Sequence, residues 1–383
     1  MSCITPFQRK HKTGSKSISE FALPTLDGIN LILHGFSVKT KFENVGSDLT
    51  LQFPQPSLRW QIALALTSVY IIWGSTYLAI RFAIETIPPF LMAGTRFLIG
   101  GLILYVWARS RGAARPSFLN WKAAAAVGGL LLFGGNGGVV WAEQTVPSGI
   151  AAVLVGTVPL WMVLIEALRP KGVRPTKGVV VGIAIGFFGV ILLVGQGGLS
   201  SGGNPVPLVG ALIVVGATLS WAIGSLYSRS APLPKSSQLS TAMQMLMGSA
   251  IFFVASLISN EWAGFKPASV SLLSSLSVAY LIFFGSLVAF TAYIWLLRVT
   301  TAAKVSTYAY VNPVVAVFLG WSLAGEAVTL GTIVAAGIII AAVVVITTYR
   351  SKAVYAKSQV KTIVEEPVPN VKSGQVMERN QAS

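Results

Sequence analysis

The sequence predicts an all-α membrane protein of ten transmembrane helices, arranged as two inverted five-helix repeats. Three observations carry that expectation. Hydrophobic residues make up 54% of the 383 and charged residues only 10%, against roughly 25% charged in a soluble domain. The apolar residues fall into runs of about 20, long enough to cross roughly 30 Å of hydrocarbon. The basic residues between those runs keep to alternate connections.

Ten apolar segments run near 62–84, 90–108, 123–141, 147–168, 178–195, 207–227, 238–258, 272–297, 305–324 and 330–349. Pro88-Pro89, Pro147, Pro170, Pro175 and Gly202-Gly203 with Pro205 punctuate the connections. With the N-terminus inside, 25 of the 28 Lys and Arg residues fall on cytosolic connections and tails. The outer connections hold one, Lys266, and carry Glu85, Glu143, Glu261 and Glu326 instead. Arg81 and Arg96 fall within spans. This is the positive-inside pattern, and a missed span would scramble it from that point onward. Both termini are therefore expected in the cytosol, and the protein in the cell (inner or plasma) membrane.

The net charge of +16 invites a nucleic-acid reading. The basic residues lie between apolar runs, however, so they serve orientation and no nucleic-acid partner is expected. Cys3 is the single cysteine, and His11 and His34 both lie in the N-terminal stretch. That removes the usual zinc sites and any histidine relay in the membrane. No metal and no cofactor are expected. Residues 1–57 and 351–383 are mixed and polar, and read as disordered cytosolic tails.

The spans divide into repeats at 60–203 and 207–350. An odd number of spans per half makes the second enter from the opposite side. Trp73-Gly74-Ser75-Thr76-Tyr77 is echoed by Trp221 and Gly224-Ser225-Leu226-Tyr227. Pro159 in span 4 is echoed by Pro313 in span 9. Inverted repeats are typical of secondary transporters, which bind solute where the halves meet.

Trp73-Gly74-Ser75, Arg96-Phe97, Asn136 with Trp141-Ala142-Glu143-Gln144, Pro159, Asn312-Pro313 and Gly325-Glu326 together resemble the EamA family of the drug/metabolite transporter superfamily. The resemblance covers about 60–350. It implies ten helices in two repeats and export of small metabolites or drugs. The acidic residue often present after span 4 is Val173 here, while its counterpart Glu326 is kept.

Several residues are candidates for the site. Pro159 and Pro313 each remove an amide donor and release a carbonyl four residues back, at Val155 and Ala309. Such breaks are tolerated in a membrane where protein or a water-filled cavity covers them. A packing kink without ligand contact is the plainer alternative. Asn136 lies among Gly134, Gly135, Gly137 and Gly138, which permit close approach of a helix or a solute. Trp73, Tyr77, Trp221, Tyr308 and Asn312 are further candidates for substrate contact. Aromatic residues in spans often form interface belts, but Trp73 and Trp221 lie mid-span.

Glu143, Glu326 and Arg96 are candidates for coupling or gating. Glu143 is expected near the outer end, where it meets water. Arg81 is expected to pair with Glu85, one turn away. Arg96 has no acidic neighbour in sequence; a structural tether and an anion site both remain open. Gly182-x-x-x-Gly186 suggests a close helix crossing, within the fold or between subunits, so monomer and homodimer both stay open.

These features point to a secondary transporter of small metabolites, such as amino acids, related metabolites or drugs, working by alternating access. Its partners would be a small-molecule substrate and the lipid bilayer. A passive channel is the alternative. An embedded enzyme is disfavoured, since the spans hold neither Asp nor His, and no P-loop pattern for ATP is present.

Overall fold

The computed structural model describes residues 57–169, 176–195 and 207–365, and every regular element among them is helical. Contacts divide the chain after Gln61. Of residues 1–61 only the opening turn of the first helix is described, where the Gln61 amide donates to the Ser57 carbonyl at 3.1 Å. The rest of the expected N-terminal tail, Val173, and residues 366–383 lie outside the described residues.

The elements are α1 (Leu58–Ala83), α2 (Pro89–Ser110), α3 (Phe118–Ala142), α4 (Ser148–Leu168), α5 (Lys177–Gly195), α6 (Leu208–Ser228), α7 (Ser237–Ile258), α8 (Leu272–Val299), α9 (Tyr308–Ala324) and α10 (Leu330–Glu365). Local chemistry sets their ends. Pro89 opens α2, where its missing amide costs nothing. Ser117 and Asn120 form a reciprocal capping box on α3. Ser236 and Ser271 cap α7 and α8. Gly325, at φ 63°, ends α9 in the left-handed conformation that glycine adopts without strain.

Seven helices, α1 to α4 and α6 to α8, are long and apolar enough to cross a membrane. Three shorter apolar helices, Lys177–Leu193, Val311–Ala324 and Leu330–Ile346, accompany them. Large apolar side chains lie exposed along the helices, among them Ile71, Val106, Ile191, Leu212, Phe283 and Phe318. Exposed apolar surface on this scale suits lipid and not water. The chain is a multi-pass membrane protein. The last helix departs from expectation by running on to Glu365.

Helices from the two halves pack against each other in pairs. α2 packs on α7, α3 on α6, α4 on α9, and α5 on α10. Small residues make these approaches possible. In α5, Gly182 meets Ile346, Gly186 meets Leu160 and Ala342, and Gly189 meets Ile339. The Gly182-x-x-x-Gly186 crossing is thus internal. On α3, Gly128 faces the Gln244 carbonyl and Gly138 faces Ala217.

Three helices lose regularity at mid-span. α3 is π-helical over Gly129–Gly137 and α8 over Leu281–Phe290. α4 is interrupted at Gly156-Thr157, two residues before Pro159. The expected match between Pro159 and Pro313 is only partial, because α9 runs through Pro313 without a break. The lost bond there falls in the first turn of α9. The freed Ala309 carbonyl faces Gly156, so the α4 interruption covers it.

Gly128→Ala places a methyl against the Gln244 carbonyl and should cost about 1–3 kcal/mol, as overpacking does. Gly216, with open space beside it, should accept Ala without loss. Thermal unfolding of the two variants in detergent checks this, and equal losses would contradict the α3–α7 packing.

Candidate functional site

The mid-span irregularities converge on one cavity of about 70 Å³. α1 contributes Trp73, Thr76 and Tyr77; α2 contributes Arg96 and Phe97. The π segment of α3 supplies Gly135 and Asn136, and the interrupted α4 supplies Val155 and Val158. From the second half come Thr218, Trp221, Gly285, Phe290 and Tyr308. Val155 is the residue whose carbonyl Pro159 leaves without an amide four residues on. The volume is far below the roughly 300–1,000 Å³ of a typical ligand pocket, so side chains must move for a solute to enter.

Four aromatic rings fill the centre. Trp73 meets Trp221 edge-on at 5.4 Å, Tyr308 edge-on at 5.3 Å, and Tyr293 at 4.9 Å. The Trp221 Nε1 donates to the Tyr293 hydroxyl at 3.0 Å, and Ser225 shares a 2.7 Å hydrogen bond with it. Such ring pairs contribute about 0.5–1.5 kcal/mol each beyond burial. Trp161 and Thr157 both bond the Thr218 hydroxyl, tying α4 to α6 beside the interruption.

Arg96 is 3% exposed. Its Nε donates to the Ser286 hydroxyl at 2.9 Å, and its guanidinium lies over the Phe97 ring at 4.7 Å. Nη1 and the Asn136 Oδ1 have no hydrogen-bond partner among the described residues.

At the helix ends the carboxylates do unexpected work. Glu326 accepts from the Ser148 amide at 2.9 Å, the Ser148 hydroxyl at 2.7 Å and the Gly149 amide at 3.0 Å. It thereby caps α4 from the far side of α9, and Arg81 approaches it at 3.9 Å. Arg81 pairs with Glu326 and not with Glu85, because the fold brings the α9 connection across α1. Glu261 caps α2 in the same way, accepting from Phe90 and Leu91 at 3.0 and 2.8 Å. A carboxylate at a helix N-terminus meets both free amides and the positive end of the dipole. Glu143 does not meet water as expected. It is 2% exposed, and neither carboxyl oxygen has a partner among the described residues. Its electrostatic neighbours are Tyr77, Arg81 and Glu326.

The cavity thus gathers Trp73, Tyr77, Asn136, Trp221, Tyr308 and Arg96. Asn312, Pro159, Pro313, Glu143 and Glu326 stand outside its wall. With its nitrogen turned toward them, the Asn312 amide donates to the Tyr308 and Tyr70 carbonyls at 3.1 and 3.0 Å, which leaves it a link between α1 and α9. Thr218 and Gly285 line the site without a sequence echo to mark them, and Tyr293 joins it through the ring cluster.

The sequence pattern of the EamA-like transporter family matches residues 59–195 and again 208–348. The uncharacterized inner membrane transporter YedA of Escherichia coli K12 is 44% identical over 284 residues, covering 74% of this chain and 89% of that protein. A second protein of the same organism, named "Probable amino-acid metabolite efflux pump", is 25% identical over 280 residues, covering 68% of this chain and 86% of its own. A solved crystal structure aligns with a TM-score of 0.54 at 20% identity, over 80% of this chain and 99% of the other. That likeness concerns the fold alone.

Glu143 lies one residue beyond α3. Burial first, then the Glu326 charge, pushes its carboxyl well above the usual carboxylate range, against a smaller pull from Arg81. The folded state then holds a proton that the unfolded state releases above about pH 4.3. Stability is full below that pH and falls as pH rises toward the folded value. Glu143→Gln should flatten the decline in melting temperature as pH rises above about 4.3. Parallel pH profiles for the two proteins would contradict the buried-proton reading.

Proposed function

The chain belongs to the EamA-like transporter family, and from that premise we propose that it is a secondary transporter that exports small metabolites by alternating access. Ten spans in two inverted five-helix repeats, 60–203 and 207–350, would carry it through the inner or plasma membrane with both ends in the cytosol. The twofold family match and the alternation of basic connections support that topology. The inner membrane placement follows YedA, and export of amino acids, related metabolites or drugs follows the efflux pump relative.

One observation carries the transport reading most: a cavity at mid-depth whose wall is drawn from both halves. Rocking one half against the other would open it to either side. Trp73, Tyr77, Asn136, Trp221 and Tyr308 are assigned to solute contact. Pro159 and Pro313 are assigned to shaping the α4–α9 crossing, and Asn312 to holding α1 against it. Glu326 is assigned to the outer gate, with Glu143 and Arg81 beside it. Links between the halves include the two carboxylate caps at one end, and Tyr70 to Thr307 at 2.6 Å and Asn120 to the Pro232 carbonyl at 2.7 Å toward the other. Breaking and remaking such links would accompany alternating access.

Purified protein in proteoliposomes should give flux that saturates with solute concentration, and Trp221→Ala should lower it about tenfold or more, as loss of an aromatic contact of about 1.5 kcal/mol or greater would. Flux that rises linearly without limit would contradict a carrier and favour a passive pore.

A further inference from the structure

We infer that Arg96 is the carboxylate receptor of the cavity, so that the solute is a small organic acid or amino acid with an apolar body. This rests on the transport reading and narrows it to a substrate chemistry.

Arg96 stands at the wall of the cavity, almost fully buried. A guanidinium presents five N–H donors in a planar fork that matches a carboxylate. Only part of that fork is used. Nε serves Ser286, while Nη1 serves nothing among the described residues. The ion pair between Arg81 and Glu326 lies outside the wall and does not involve Arg96. A buried cation requires a partner or water, and Nη1 has none among the described residues. Gly285 in the π segment of α8 leaves room for the guanidinium head beside the cavity: a side chain there would strike Nη2 and Thr76.

The Asn136 Oδ1 is a second unpartnered atom on the same wall. An amide oxygen only accepts, so it suits the ammonium of an amino acid. The remaining wall, with Trp73, Trp221 and Tyr308, offers ring faces and edges to an apolar body. A purely structural role, tying α2 to α8 through Ser286 and lying over Phe97, leaves Nη1 without a partner.

Wild-type protein in detergent can be titrated with four probes of one shape: 3-phenylpropionate, phenylalanine, 3-phenylpropionamide and 2-phenylethylamine. Tryptophan fluorescence reads occupancy, since Trp73 and Trp221 line the cavity. The two carboxylates should bind about tenfold or more tightly than the amide and the amine, the worth of a lost charge-assisted pair. Arg96→Gln should erase that preference, and Arg96→Lys should restore part of it. Equal binding of acid and amide to the wild type would overturn the assignment, and so would a preference that survives in Arg96→Gln. If Arg96→Gln fails to fold, the wild-type series decides alone. Saturable flux of the amine or amide with no advantage for the acids would overturn this receptor and leave the transport reading standing. Flux that never saturates would instead remove the transport reading itself.

Discussion

In hydrocarbon every backbone amide and carbonyl needs a partner inside the protein, and that constraint organises this molecule. A helix can depart from α geometry only where neighbouring protein or a cavity covers what it exposes. Here the departures cluster. The π segments of α3 and α8 and the interruption of α4 all border one space. A π turn widens the helix and re-aims its side chains at small cost. In α3 it borders the cavity with Asn136, and in α8 with Gly285, whose missing side chain admits Arg96.

The same constraint explains the ends. Buried helix termini need partners, and the N-termini of α2 and α4 find them in Glu261 and Glu326, distant in sequence. These bonds satisfy backbone amides and join the two parts of the chain at once.

Much of this was legible in the sequence, and the reasons are specific. Trp73 and Trp221 were marked by their echo, Asn136 by its glycines, and Arg96 by a charge without a neighbour. All four border the cavity. What stayed hidden depends on facing. In a soluble helix polarity separates the buried face from the exposed one, but lipid is as apolar as the core. Thr218 thus carries no sign of facing the cavity, although it lines it. Burial of Glu143 and the pairing of Arg81 with Glu326 arise from contacts distant in sequence. The π segments carry no motif, and the α8 segment holds one glycine in ten residues.

Spin labels on exposed positions test alternating access most directly. One pair, at Gln144 and Ser322, reports the outer ends of α3 and α9; the other, at Arg115 and Ser230, reports the inner ends of α2 and α6. With Cys3 replaced by serine, pulsed electron resonance measures both distances with and without a transported solute. Opposite changes, one pair closing as the other opens, are expected of halves that rock about the central cavity. Two distances that stay fixed while flux continues would contradict it.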